Sequence, residues 1–421
     1  MNELQKISIC DGINLYYIQD DKYKTVSVSM CLHRPVSRGE VTKNSLLAGV
    51  LKAGTGKYPA MKDINRHLEK LYGTAYDITV SRKGGTQTLT ATFSVIDEKV
   101  AGENVLPDVF DMMFEFMFNP ATENGGFVKK IVQTEKKNLK ESIEGIINDK
   151  RAYASIRCLE EMCKDESAGI SEYGYVEDLE QIDEKNLYEH YSSIITESPI
   201  DIFVVGMCDI DSVAKNLTEG FSKIQFNIAS ANFDIVKADS AGNNNVEEKF
   251  DVVQGKLVMG LRTFTDFKDD LYYPLLVGNS IFGAGSHSKL FNNVREKSSL
   301  AYYVSSKLDK YSEIMLISSG IEFANFERAK TEILNELDKV VAGDFTAEEE
   351  EKGKRFLISQ FRSYYDNPYA MKDFYLGQML YGEICTVEEV VDKINKVTKE
   401  QITEAFSKIV LDTVYFLKGR E

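Results

Sequence analysis

The second half of this 421-residue chain repeats the plan of the first. In the first half, residues 25–32 alternate with the period of a strand. Residues 44–55 follow with Leu47, Val50 and Leu51 at helical spacing and a stop at Gly54. In the second half, 257–264 reads as a strand and 273–281 as a helix stopped by Gly283. Towards each end the echo becomes textual: Asp149-Lys-Arg-Ala-Tyr-Ala154 against Asp366-Asn-Pro-Tyr-Ala370, Val176-Glu-Asp-Leu179 against Val387-Glu-Glu-Val390, and Phe203-Val-Val-Gly206 against Phe416-Leu-Lys-Gly419. Strands grouped before paired helices, met twice, predict an α+β fold of two homologous domains, each a mainly antiparallel sheet covered by helices.

The remaining elements fill that plan. Residues 14–18 and 25–32 read as an early hairpin, 61–72 as a helix, and 74–80 with 87–96 as strands joined at Lys83-Gly84-Gly85. Helices are predicted over 107–118 and over 124–147, the second burying Ile131, Leu139, Ile143 and Ile147. Helices at 150–164 and 184–195 and a strand at 200–205 close the half. After the repeat begins, a hairpin over 303–308 and 314–321 precedes helices at 325–341 and 347–365. Between the halves the composition shifts to Asn, Ala, Ser, Gly and Asp, including Ser240-Ala-Gly-Asn-Asn-Asn245. The expected division is therefore a domain over 1–226, a linker over 227–247 and a domain over 248–421.

A formal charge of −16, from 50 basic and 66 acidic residues, argues against nucleic acid or an anionic membrane as the main partner, since both reward clustered Lys and Arg. The N-terminus lacks the basic-then-apolar pattern of a secretory signal and no run has the apolar length of a membrane span, so a cytoplasmic protein is expected. The six cysteines are scattered and read as buried free thiols. Cys158 and Cys163 form the only close pair, and no second pair or suitably spaced His completes a zinc site.

The stretch 286–303 carries the chemistry. It reads as a short amphipathic helix burying Leu290, Phe291 and Val294, a break at Ser298-Ser299, and a strand from Ala301. Arg295 falls near the helix end and Tyr302 near the strand start. A guanidinium and a phenol there offer donors to a carbonyl, a carboxylate or an oxyanion. The same spacing also suits a solvated Arg beside a packed Tyr, with Glu296 as ion-pair partner. Gly283-Ala-Gly285 lacks the third glycine and the βαβ setting of a dinucleotide loop and reads as a helix-terminating turn. Ser45 has no base beside it in the sequence, so a cap or packing role is its default.

Gly283-Ala-Gly-Ser-His-Ser-Lys-Leu290 followed by Val294-Arg-Glu-Lys-Ser-Ser-Leu-Ala-Tyr302 resembles the glycine loop, helix and Arg/Tyr segment of the pitrilysin (insulinase) family of metallopeptidases, which includes the mitochondrial processing peptidase. Active members carry His-x-x-Glu-His on the early helix, where one-turn spacing lets two imidazoles hold zinc and the Glu activate water, and a later Glu completes the ligands. Aligned on Gly54-Thr55, the resemblance puts Ser45, Ala48 and Gly49 at the His, Glu and His positions. Glu135 matches the later helix's first Glu, and Ser142 stands at the ligand position, with Glu141 one residue away. The chain has only His33, His67, His190 and His287, and no pair has ligand spacing.

What the resemblance implies is a subunit with no zinc or other cofactor of its own and no independent peptidase activity. It would supply Arg295 and Tyr302 in trans to a zinc-bearing pitrilysin-type paralogue in a clam-shaped heterodimer, with an unfolded peptide added as an edge strand. The alternative is an inactive structural or peptide-binding homologue, forming a homodimer or docking elsewhere, comparable to the family's core subunits in respiratory complexes.

Overall fold

The structure is a computed structural model and describes residues 4–228, 233–382 and 384–420. In chain order the first elements are β1 (Leu4–Cys10), β2 (Ile13–Ile18), β3 (Thr25–Pro35), α1 (Val41–Ala53), α2 (Met61–Lys70), β4 (Ala75–Lys83), β5 (Thr86–Ile96) and α3 (Glu98–Ala101). There follow α4 (Leu106–Phe118), the small hairpin β6 (Thr122–Glu123) and β7 (Gly126–Phe127), α5 (Lys129–Gly145), α6 (Lys150–Met162), α7 (Glu184–Glu197), β8 (Ile200–Val205) and α8 (Ile210–Phe221). The later part holds β9 (Asn244–Lys249), β10 (Gly255–Arg262), α9 (Tyr272–Phe282), β11 (Ala301–Asp309), β12 (Ile314–Ile321), α10 (Phe326–Val341), α11 (Ala347–Arg362), α12 (Pro368–Tyr381), α13 (Val387–Lys396), α14 (Lys399–Ser407) and β13 (Val410–Lys418). Two compact units result: Met1–Glu144 with Ser171–Asp234 and Pro368–Asp373, and Gly145–Ile170 with Ile235–Asn367 and Phe374–Glu421.

In the first unit the sheet runs β1-β2-β8-β3-β5-β4. The expected hairpin of 14–18 with 25–32 does not form. β8 lies between the two strands, parallel to β2 and antiparallel to β3. The physical reason is burial: β8, Ile-Asp-Ile-Phe-Val-Val, is buried on both faces at every residue but the half-buried Asp201 and belongs in a sheet's middle, while the six residues between β2 and β3 are enough to step across one strand. β4 and β5 do pair as a hairpin, turning through Gly84 at φ 53°, a left-handed conformation that favours glycine. Leu46, Leu47, Val50 and Leu51 of α1 pack with Phe110, Met113 and Phe116 of α4 and with Val28, Met30, Phe93 and Val204 of the sheet. α5 departs from its expected stripe: Ile131, Leu139, Ile143 and Ile147 are half-buried, and Val132 is the helix's buried residue.

The second sheet runs β11-β12-β10-β13-β9. Read backwards it matches five of the first sheet's six strands, with β9, β13, β10, β12 and β11 in the places of β2, β8, β3, β5 and β4; β1 has no counterpart among the described residues. The parallel pair β13·β9 mirrors β2·β8. β9 begins inside the stretch predicted as linker and runs two residues past its end. Its composition hid it because it is a polar edge strand, holding only Val246 and its neighbours against the core. Residues 229–232 of that stretch lie outside the described residues.

One face of this sheet packs on α9, α10, α11, α13 and α14 through Leu257, Met259, Ile281, Phe282, Ile333, Leu357, Ile394 and Phe406. The other face is covered by α6, whose Ala154 and Cys158 meet Val258, Tyr415 and Leu417. The loop after α6 is tied in by ions: buried Arg262 makes a two-pronged pair with Glu166 at 2.6 and 2.7 Å and a third bond to Asp412 at 2.9 Å. Cys31, Cys158, Cys163 and Cys385 are buried free thiols, Cys208 is half-buried, and Cys10, expected inside, is exposed on edge strand β1. Among the described residues no helix is long and apolar enough to cross a membrane.

Candidate functional site

The helix predicted to carry the zinc motif exists as α1, and its three motif positions have been filled from within the chain. Ser45 Oγ donates to the Glu172 carbonyl oxygen at 3.2 Å. Gln87 Nε2 donates to that same oxygen at 3.1 Å, and the Arg82 N–H of edge strand β4 donates to Glu172 Oε1 at 3.1 Å. Residue 172 is thus a strap binding α1, β5 and β4 together. Ala48 is buried in the core. At Gly49 a Cβ would stand 2.8 Å from Glu135 Oε2, so the α5 carboxylate occupies the room a side chain there would need. Ser142, at the remaining ligand position, is turned back on its own helix, donating to the Asn138 carbonyl at 2.9 Å. Glu141 faces Lys137 at 3.7 Å.

The histidines are engaged elsewhere. His33 lies between Thr88 and Asp201, each at 3.1 Å, and His67 stacks on Tyr58. His190 donates from Nε2 to Asn44 Oδ1 at 2.6 Å, and His287 meets Ser280 at 3.2 Å. Burial depresses His190, lowering its pKa to about 4; Glu40 opposes the shift and Lys43 and Arg34 add to it. Among the described residues no group of three or more His, Cys, Asp or Glu could hold a metal ion. One hydroxyl, a methyl and a glycine in place of two imidazoles and a carboxylate do not fit zinc, and no catalytic step can be derived through it.

The Arg/Tyr segment is built differently from expectation. Leu290–Lys297 is a π-helical turn, and Ser298 N–H reaches back five residues to the Asn293 carbonyl at 3.0 Å. Such wide turns recur at functional sites. Leu290 and Val294 remain buried, as predicted, whereas Phe291 is half-buried and lies under Arg295, the guanidinium carbon 4.6 Å from the ring centre. The turn is pinned from below by Asn293 Nδ2 donating to fully buried Glu336 at 2.8 Å. Ser299, at φ 52°, then bends the chain into β11.

Tyr302 is 56% exposed, so it is not a packed ring. The register of β11 against β12 slips between Ala301 and Tyr303, which makes Tyr302 a bulge residue on an edge strand. Bulges re-aim a side chain out of the ladder. The phenol donates to Glu322 Oε1 at 3.0 Å, and this bond, with the carboxylate's charge, raises the phenol's pKa. Arg295 is 40% exposed and pairs with Glu296 at 3.5 Å, the ion pair expected of a solvated Arg here. Among the described residues Arg295 and Tyr302 make no hydrogen bond or ring contact with each other. A cavity of about 380 Å³ adjoins the segment, lined by Ser298, Leu300, Glu327, Arg328, Thr331 and Glu332.

The glycine loop ends α9 and closes on β11. Ser306 N–H donates to the Gly283 carbonyl at 2.9 Å, and a Cβ at Gly283 would collide with the Ser306 hydroxyl. Gly285 is crowded by His287 Cε1, 2.8 Å from where its Cβ would lie. Both glycines are there for close approach. Glu172 and Glu322, the two carboxylates that organise these regions, carried no signal in the sequence.

Comparison with known proteins agrees with this architecture. The profile of the family described as "Peptidase M16 inactive domain" matches residues 181–357. The chain is 33% identical over its whole length to the "Probable inactive metalloprotease YmfF" of Bacillus subtilis, covering 99% of that protein. A conserved protein from Enterococcus faecalis, 28% identical, superposes with a TM-score of 0.90 and covers 100% of this chain and 99% of its own. A peptidase M16 inactive domain from Pseudomonas fluorescens shares the fold at 15% identity, with a TM-score of 0.80 over 99% of this chain and 98% of that one. The chain belongs to the pitrilysin-type peptidase M16 family, among its inactive, peptidase-like members.

Proposed function

We propose that this chain is the non-zinc subunit of a two-chain M16 peptidase, and that Arg295 and Tyr302 bind the peptide substrate beside the zinc of a pitrilysin-type paralogue. The observation that carries the reading is the contrast between the two regions. The motif positions are occupied by Glu172 and Glu135, whereas Tyr302 is lifted to the surface on a bulge and Arg295 is held over Phe291. Exposed polar groups kept on a shaped turn suit binding, and a site refilled from within does not suit metal chemistry. Zinc is then a property of the partner alone, the substrate is an unfolded peptide, and the pair works in the cytoplasm.

Mixing the purified chain with its zinc-bearing paralogue should switch on cleavage of unfolded peptides. Arg295→Ala should lower turnover more than it weakens the heterodimer. A mixture no more active than the paralogue alone sinks this reading.

A second reading is an inactive structural or peptide-binding homologue that self-associates, and its purely structural form draws support from the sheet edges. Arg82 N–H of β4 is taken by Glu172, and Ser306 N–H of β11 is taken by the Gly283 carbonyl, so strand addition at those points meets occupied donors. Sedimentation of the chain alone and with the paralogue separates the two readings.

A further inference from the structure

The Tyr302 hydroxyl owns a single proton and gives it to Glu322 Oε1 at 3.0 Å. A hydrogen bond to a carboxylate is roughly twice as strong as one between neutral groups, so a peptide carbonyl is a poor competitor for that proton. What the phenol has left to offer is its lone pairs. Glu322 itself enters no ion pair among the described residues, so its charge is not neutralised by a neighbouring cation. The pair stands at a bulge, on an edge strand, where Tyr302 has left the ladder with β12. An extended peptide running along such an edge presents an N–H or a C=O at every residue.

From this juxtaposition we infer that Glu322 is the positioning partner of Tyr302, and that the two together form a hydrogen-bond acceptor for a backbone N–H of the bound peptide. The carbonyl is left to Arg295, which has only donors to give. The inference rests on the substrate-binding reading above and refines it, since it assigns Tyr302 the opposite polarity from the donor role implied by the resemblance. Glu322 acts partly through Tyr302, as the group that fixes its hydroxyl.

The test is a binding measurement by fluorescence anisotropy, using a fluorescein-labelled unstructured peptide and a series in which one backbone amide at a time is replaced by an ester. An ester keeps the shape and removes the N–H. The chain is used with its zinc-bearing paralogue inactivated by replacement of the water-activating Glu of its His-x-x-Glu-His motif. One ester position should weaken binding about five- to tenfold, the size of one hydrogen bond. That penalty should vanish in Tyr302→Phe and Glu322→Ala and return in part in Glu322→Asp. A merely structural Glu322 would lower affinity for every peptide alike and leave the amide-to-ester ratio unchanged. If the ratio is the same in wild type and Glu322→Ala while Arg295→Ala and Tyr302→Phe still weaken the parent peptide, the Glu322 assignment is overturned and the substrate-binding reading stands. If neither Arg295→Ala nor Tyr302→Phe changes the parent affinity, both are overturned.

Discussion

Glu135 Oε2 stands 2.8 Å from where a Cβ on Gly49 would begin. Position 49 is glycine because the α5 carboxylate has taken the place of a side chain. Installing imidazoles by Ser45→His with Gly49→His therefore forces Glu135 aside and strips the Glu172 carbonyl of its Ser45 donor. The double variant should bind no stoichiometric zinc by metal analysis, and overpacking should cost about 1–3 kcal/mol in denaturant unfolding. One zinc per chain in that variant would show that the site is merely unfurnished and not closed.

Arg262 is 3% exposed and Asp412 likewise, and Glu166 is 8% exposed, so the three charges are almost dry. Arg262→Met leaves two buried carboxylates without their cation. The loss should be about 3–5 kcal/mol, read as a lower urea midpoint. Neutralising all three together, with Glu166→Gln and Asp412→Asn added, should recover much of it. If the triple variant is no better than the single, the penalty is one of shape and not of charge.

The duplication was legible because hydrophobic period is a local property, and both copies spell it. Strand order was not. Nothing in residues 14–32 says that β8, far along the chain, will step between β2 and β3, and nothing in Asn244–Lys249 announces a strand, since an edge strand buries too little to need alternation. The π-helical turn was hidden for a related reason. Leu290 and Val294, four apart, are buried either way, and only Phe291 and the register of Asn293 with Ser298 reveal the wider turn. Arg295 and Tyr302 were singled out by the resemblance of the stretch around them, because their spacing alone suited a solvated pair equally well. Glu172 and Glu322 could not be found at all: each matters through an acceptor atom placed by tertiary contacts, and a carboxylate at a loop or strand end has no pattern.

His190 gives a pH dependence with a definite sign. Burial lowers its pKa from the ordinary 6.5 to about 4, so between those values the unfolded chain carries a proton that the folded chain refuses. Stability from this group is complete above pH 6.5 and lost as the pH falls towards about 4, a contribution of at most about 3 kcal/mol. In His190→Gln the unfolding free energy should fall less steeply with acid across that window. Parallel acid limbs for wild type and variant would place the titration elsewhere.

Glu172 tests how much the strap matters to the β4 edge. Its carbonyl, bonded by Ser45 and Gln87, survives Glu172→Ala, so the substitution removes only the side-chain acceptor of the Arg82 N–H. That N–H points away from β5, and by the two-residue period of the ladder so do those of Tyr76, Ile78 and Val80. Ile78 already bonds Asp77 Oδ1 at 2.9 Å and serves as the control. Amide exchange should accelerate about tenfold at Arg82, the loss of one charge-assisted bond at a partly wet site, and stay unchanged at Ile78. With the Arg82 N–H deprived of its Glu172 acceptor, the variant should also bind a labelled extended peptide more tightly than wild type. Faster exchange without tighter binding would mean that Glu172 guards the edge against fraying and not against a ligand.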